Sequence, residues 1–163
     1  MTGIELNKQQ TIHFILLGNS KEHILQAIDH YFIQKMVLIT SDTLYDENFP
    51  FIVNLQKNGI QILDVIVVNP FSCNCLENMI NELLCKYEAV SNSGQIPVIF
   101  GLTGGTNLMA IAMSFVALIK NLRCHYIVKN QVDKIIEIDL FEKLEDVITS
   151  DQLKLEIIIG EKQ

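Results

Sequence analysis

The sequence predicts an α/β fold of the Rossmann-like, doubly wound kind: one domain with a mainly parallel sheet and helices on both faces. Three observations predict it. Strand-like and helix-like segments alternate along nearly the whole chain, which calls for crossover connections and a parallel sheet. The strand-like runs are aliphatic on both faces, as at residues 60–68, so each needs helical cover on two sides. Two short glycine-bearing turns follow strand-like runs and open helices, and ligands of such sheets bind at turns of this kind.

Taken in order, residues 1–10 form a polar leader, and the domain occupies residues 11–163. Residues 11–17 are rich in β-formers and make the first strand. Ser20 before Lys21-Glu22-His23 reads as an N-cap, and Ile24, Leu25, Ile28, Tyr31 and Phe32 recur at helical spacing. Residues 35–40 are the second strand. A polar turn at Ser41-Asp42-Thr43 leads into a helix interrupted near Pro50 and stopped at Asn58-Gly59. Residues 60–68 are the third strand, broken by Asn69-Pro70-Phe71. Ser72 caps the next helix, whose stripe of Leu76, Met79, Ile80, Leu83 and Leu84 runs to a Ser/Asn/Gly loop at 91–94. The fourth strand spans 96–102 and the fourth helix 107–121. Residues 124–128 and 135–140 pair around Asn130, residues 141–148 form a short helix, and 153–159 a last strand.

A chain of 163 residues makes about one domain, with no room for a second effector domain of ordinary size. At 49% hydrophobic and 19% charged residues it is core-rich rather than disordered. A net charge of −7 with one arginine, Arg123, argues against a broad surface for long nucleic acid, which relies on many cationic phosphate contacts. A small anion is still allowed, because backbone amides and helix N-termini hold anions with few formal charges. No segment has the order of a signal peptide, and no apolar run reaches bilayer length, so the expected location is cytoplasmic with no membrane contact. Cys73, Cys75, Cys85 and Cys124 fit no zinc spacing and read as reduced, partly buried thiols.

The chemistry concentrates in the two turns. Residues 101–109 read Gly-Leu-Thr-Gly-Gly-Thr-Asn-Leu-Met. Gly104 and Gly105 permit positive φ and let a ligand approach without a Cβ in the way. Thr103 and Thr106 supply hydroxyls, and the first amides of the following helix point at whatever anion sits there. The other turn is Gly18-Asn19-Ser20 after the first strand. In the usual strand order the first and fourth strands are neighbours, so the two turns flank one crevice. The rival reading is plain: Gly-Gly is a common way from strand to helix, and Ser20 serves equally well as a cap.

With both turns in view, the chain resembles the CARF domain, the CRISPR-associated Rossmann fold. The resemblance rests on the small polar turn near the N-terminus and on Thr103-Gly104-Gly105-Thr106-Asn107-Leu108-Met109 before an Ala/Met-rich helix, and covers residues 12–140. It implies a homodimer that binds a cyclic oligoadenylate on its two-fold axis, with no cofactor and no metal. Carried onto this sequence, the ligand-binding set is Gly18, Asn19, Ser20, Thr40, Ser41, Asp42, Thr103, Gly104, Gly105, Thr106 and Asn107. Many family members carry lysine where this chain has Asn107, so that lysine's role does not transfer.

Three functions follow from different classes. In a ring nuclease for cyclic tetra-adenylate, Ser20, Asn19 and Lys129 would position a ribose 2′-hydroxyl against its own phosphate. A sensor would bind the messenger without cleaving it. A generic nucleotide enzyme would use Asp42 for ribose, but the full dinucleotide glycine fingerprint is missing after Gly18. His13, His23, His30 and His125 are scattered and form no catalytic or metal grouping by spacing; Lys21 is, with Lys129, a cation near a strand end. From Leu108 to Ile119 only Ser114 is polar. A helix apolar nearly all round is buried on more than one side, and at about 22 Å it is too short for a bilayer. A second copy of the chain is the simplest cover, with burial by C-terminal elements the alternative.

Overall fold

A computed structural model of the chain describes residues 10–128 and 134–149. Strands and helices alternate as β1 (Ile12–Leu16), α1 (Glu22–Tyr31), β2 (Lys35–Ser41), α2 (Asp42–Lys57), β3 (Gln61–Val68), α3 (Cys75–Ser91), β4 (Val98–Gly101), α4 (Asn107–Lys120), β5 (Arg123–Ile127), β6 (Ile135–Asp139) and α5 (Leu140–Thr149). The sheet order is β3-β2-β1-β4-β5-β6. All neighbours run parallel except β5 and β6, which form an antiparallel pair. The order reverses between β1 and β4, so the switch point lies where the sequence placed it. Residues 1–9, Lys129, Asn130 and the expected strand at 153–159 lie outside the described residues.

The period-2 alternation of β1 divides the core. Ile12, Phe14 and Leu16 face α3 and α4, packing with Phe100, Met109, Met113 and Val116. Ile15 and Leu17 face α1 and α2, packing with Ile24, Ala27, Ile52 and Leu55. The Phe14 and Phe100 rings stack at 5.0 Å, joining the two halves of the sheet across the switch point.

Several local expectations are corrected. Pro50 does not interrupt α2, which runs unbroken through it. Pro50 and Asp46 are both exposed, so water can serve the Asp46 carbonyl that lacks its donor. The polar turn at Ser41-Asp42-Thr43 is absent, because β2 extends to Ser41 and α2 starts at Asp42. Ser20 caps nothing: Lys21 is the N-cap of α1 and makes no side-chain cap bond. Ser72 is not a cap either; its hydroxyl donates to the Asn69 carbonyl at 3.0 Å, and α3 opens from Asn74 in a left-handed conformation. The four cysteines are free, but Cys73 and Cys85 are exposed and only Cys124 is buried.

The α1 face of the core holds an aromatic polar cluster invisible in the sequence. The rings of His13, Tyr31 and His125 lie 5.1 to 6.1 Å apart, and the Tyr31 hydroxyl donates to Glu137 at 3.2 Å. His125 fits because it lies across from Gly101, where a Cβ would come within 2.7 Å of its ring. His13 is 2% exposed and His125 1%. His13 Nδ1 and both His125 ring nitrogens have no hydrogen-bond partner among the described residues. Burial, followed by the neighbouring His125, pushes His13 down to about 3, and burial with His23 and His30 pushes His125 down to about 4. Both are therefore neutral in the fold, while the unfolded chain takes up protons below the usual value of 6.5. Stability should fall as pH drops from 6.5 toward 4, by up to about 1.4 kcal/mol per pH unit for each imidazole. Urea denaturation at pH 7.5 and 5.0 checks this, with a flatter profile expected for His13→Leu/His125→Leu. Equal slopes in both proteins would contradict it.

Candidate ligand site at the β1 and β4 turns

The turn after β1 and the turn after β4 touch, backbone against backbone. A Cβ on Gly18 would lie 2.8 Å from the Gly105 amide nitrogen and 3.4 Å from its Cα. Gly18 needs no unusual φ; it is a glycine because the facing chain leaves no room for a side chain. Gly104 and Gly105, at φ 96° and 62°, do occupy the left-handed region, which glycine reaches without strain. Asn19, Ser20, Gly105 and Asn107 are exposed around this contact, and Thr103, Gly104 and Thr106 are half-buried.

The hydroxyls of the second turn hold it in place. Thr103 Oγ1 accepts from the Ile127 amide at 2.6 Å and donates to the Ile127 carbonyl at 3.3 Å, extending the β4 to β5 ladder beyond Gly101. Thr106 is the N-cap of α4: its hydroxyl accepts from the Met109 amide at 3.3 Å, and its own amide donates to Met109 Sδ at 3.4 Å. That is a capping box with sulfur in the usual carboxamide role. Asn107 and Leu108, the next two residues, keep amides with no carbonyl one turn earlier to accept them. They lie at the positive end of the helix dipole, a place suited to an oxyanion.

From the first turn, His23 supports the cradle, a part that its isolated place in the sequence did not reveal. Its buried Nε2–H donates to the Leu16 carbonyl at 2.8 Å, tying the start of α1 to the end of β1. The same ring is the floor under Gly104, where a Cβ would come within 2.6 Å of Nε2. Burial lowers the His23 pKa, opposed by the Leu16 bond and assisted by Lys21, so the ring is the neutral Nε2–H tautomer near pH 7. The Lys21 ammonium donates to the Asn19 carbonyl at 2.8 Å and so sits over the first turn.

The second-strand tip is placed differently. Thr40 and Ser41 are buried; the Thr40 hydroxyl accepts from Asn48 Nδ2 at 3.2 Å, and Ser41 shares a hydrogen bond with Thr43. Of the three residues expected there, Asp42 alone is exposed, with one carboxylate oxygen accepting from the Thr43 amide. Lys129 lies outside the described residues. Among the described residues no cluster of three His, Cys, Asp or Glu side chains could hold a metal ion.

Fold and turns together define a doubly wound domain in which two polar turns meet beside a helix N-terminus at the switch point. No protein-family model and no characterised protein matches the sequence. Solved structures do match the fold. Csm6 of Enterococcus italicus bound to cyclic hexa-2′-fluoro-hexa-dAMP aligns with a TM-score of 0.70 at 13% identity, over 86% of this chain and 45% of that one. Can2 of Sulfobacillus thermosulfidooxidans in complex with cyclic tetra-adenylate gives 0.63 at 15% identity, over 80% and 35%. A type III CRISPR defence DNA nuclease activated by cyclic oligoadenylate gives 0.62 at 18% identity, over 77% and 19%. The Rossmann-like fold expected from the sequence is the fold this chain shares with these structures. The chain spans less than half the length of each of these three proteins.

Gly18→Ala should force the turns apart, costing about 2 kcal/mol of stability in urea denaturation. His23→Leu, which keeps the bulk but loses the donor to the Leu16 carbonyl, should cost about 1 kcal/mol in the same measurement; unchanged stability in either variant would show that the turns are not held together in this way.

Proposed function

We propose that the chain is a CARF domain that binds a cyclic oligoadenylate, cyclic tetra-adenylate first among them, in a homodimer, and cleaves it as a ring nuclease of type III CRISPR immunity in the cytoplasm. The observation that carries this reading is the contact of Gly18 with Gly105, which joins two polar turns into one cradle at the switch point. Support for the ligand class comes from the matched structures, two of which hold cyclic adenylate-type ligands. Gly104, Gly105 and the open amides of Asn107 and Leu108 hold phosphates, Asn19 and Ser20 face them, and Asp42 meets a base edge.

The reaction is internal to the ligand. A ribose 2′-hydroxyl loses its proton and attacks the adjacent phosphorus, the O2′–P bond forms as the P–O5′ bond breaks, and O5′ takes up a proton. The products are a 2′,3′-cyclic phosphate and a 5′-hydroxyl. The protein contributes by aligning the attack and by stabilising the charged phosphorane. Ser20, exposed and free of any capping duty in α1, is available to orient the reacting ribose. Asn19 and Lys129 complete the proposed set.

The dimer is proposed from α4. Its inner face, Met109, Ala112, Met113, Val116 and Ala117, is buried in the core, and α3 and α5 pack beside it. Ile111, Phe115 and Ile119 remain exposed at i, i+4 and i+8, a continuous apolar stripe on the opposite side. A second copy covers that stripe in an isologous interface.

A sensor without turnover is the second reading, and one observation favours it. The Thr103 and Thr106 hydroxyls are bonded to backbone, and Lys21, the sole cation in the turns at 18–21 and 101–107, is tethered to the Asn19 carbonyl.

Labelled cyclic tetra- and hexa-adenylate incubated with the protein in chelator should yield linear products ending in 2′,3′-cyclic phosphate. Ser20→Ala should slow that reaction about a hundredfold or more. Ligand that is bound but intact in the wild type would select the sensor. Phe115→Asp/Ile119→Asp should convert a dimer to a monomer in size-exclusion chromatography with light scattering; a wild-type monomer would remove the two-fold pocket.

A further inference from the structure

The ligand edge of the sheet carries one aromatic ring that neither the fold nor the cradle uses. Phe71 is 84% exposed, the most exposed large apolar side chain among the described residues. It stands on the turn after β3, and since β1 to β4 are all parallel, this turn shares the sheet edge with Gly18 and Gly105. Phe32 is also well exposed, but it lies between α1 and β2 at the opposite edge. Location, not exposure, sets Phe71 apart.

The ring is held out on a pinned turn. The Phe71 amide donates to Asn69 Oδ1 at 2.9 Å, and the Ser72 amide and hydroxyl both donate to the Asn69 carbonyl, at 3.3 and 3.0 Å. Cys75 Sγ donates to the Pro70 carbonyl at 3.3 Å, and Pro70 fixes its own φ. The backbone thus presents the ring to solvent in a set position, although exposed apolar surface gains the fold nothing. β3 is three strand spacings from β4, whose turn carries the phosphate-holding amides, about 14 Å, a span that the ring of a cyclic oligoadenylate with its outward bases covers.

We propose that Phe71 is a stacking platform for an adenine of the cyclic oligoadenylate, an inference that rests on the binding reading above. A phenyl ring offers a π-face and no hydrogen bond, so it holds the flat base and leaves edge recognition to Asp42. Stacking of this kind makes Phe71 a specificity residue for ligands that carry bases.

The chain contains no tryptophan, so Phe71→Trp places its one tryptophan at this position, excited selectively at wavelengths where tyrosine does not absorb. Its emission should be quenched by cyclic tetra-adenylate with a midpoint equal to the Kd of the same variant in a radiolabel filter assay. Phe71→Ala should weaken filter binding about tenfold with an unchanged melting temperature, and Phe71→Tyr should bind as the wild type does. Unquenched emission at a concentration that saturates the filter assay, or wild-type affinity in Phe71→Ala, overturns the stacking role while leaving the cradle intact. No filter binding of either cyclic tetra- or hexa-adenylate by the wild type overturns the binding reading, and the stacking role with it.

Discussion

The close approach of two backbones at Gly18 and Gly105 is the constraint on which the site depends. It requires β1 and β4 to be neighbours, which the order β3-β2-β1-β4-β5-β6 supplies, and it requires that residue 18 present no side chain to the Gly105 amide. Two further ties keep the turns from drifting. Thr103 fastens the second turn to the end of β5, and His23 fastens α1 to the end of β1 while flooring Gly104. Each tie is a hydrogen bond to backbone, so the cradle is fixed by the main chain. In a protein of net charge −7 such a site is physically consistent: amide dipoles and the end of α4 would draw an anion locally, where the summed charge would repel it.

The fold was legible in the sequence because it rests on periodicity, a signal spread over many residues. Every described strand and helix was expected within a few positions, and the glycine turn was legible because Gly104-Gly105 has no other common use than a tight backbone. What failed was single-residue chemistry. Ser20 and Ser72 have the identity of caps, yet Lys21 and Asn74 take those positions, since a cap depends on where the first helical φ falls. Pro50 reads as a break only if its face is buried, and its face is open. The histidines read as scattered because His13, His23 and His125 lie apart in the chain; β1 and β5 bring two of them onto one side of the sheet, and α1 brings the third.

The second-strand tip shows the same limit from another direction. Thr40, Ser41 and Asp42 form a hydroxyl-rich string that reads as a ligand loop. In the structure β2 passes into α2 without a loop, so alternation and burial turn Thr40 toward Asn48 and Ser41 toward Thr43. A loop would have left all three free. The length of one connection, which no local pattern in those residues encodes, decides which polar groups reach the crevice.

Helix α4 gathers three duties that its composition made hard to separate. Its N-terminus supplies the open amides of Asn107 and Leu108, its inner face closes the core under β1 and β4, and its outer stripe of Ile111, Phe115 and Ile119 has no cover within the described chain. The stripe begins one turn, about 6 Å, after the amides. A copy seated on that stripe would therefore bring its own cradle close to the first, since the same helix carries both features and a two-fold axis repeats them. Pairing and ligand capture would then act on one rigid element, so whatever anion the amides hold would be felt at the interface by way of the helix that supports it.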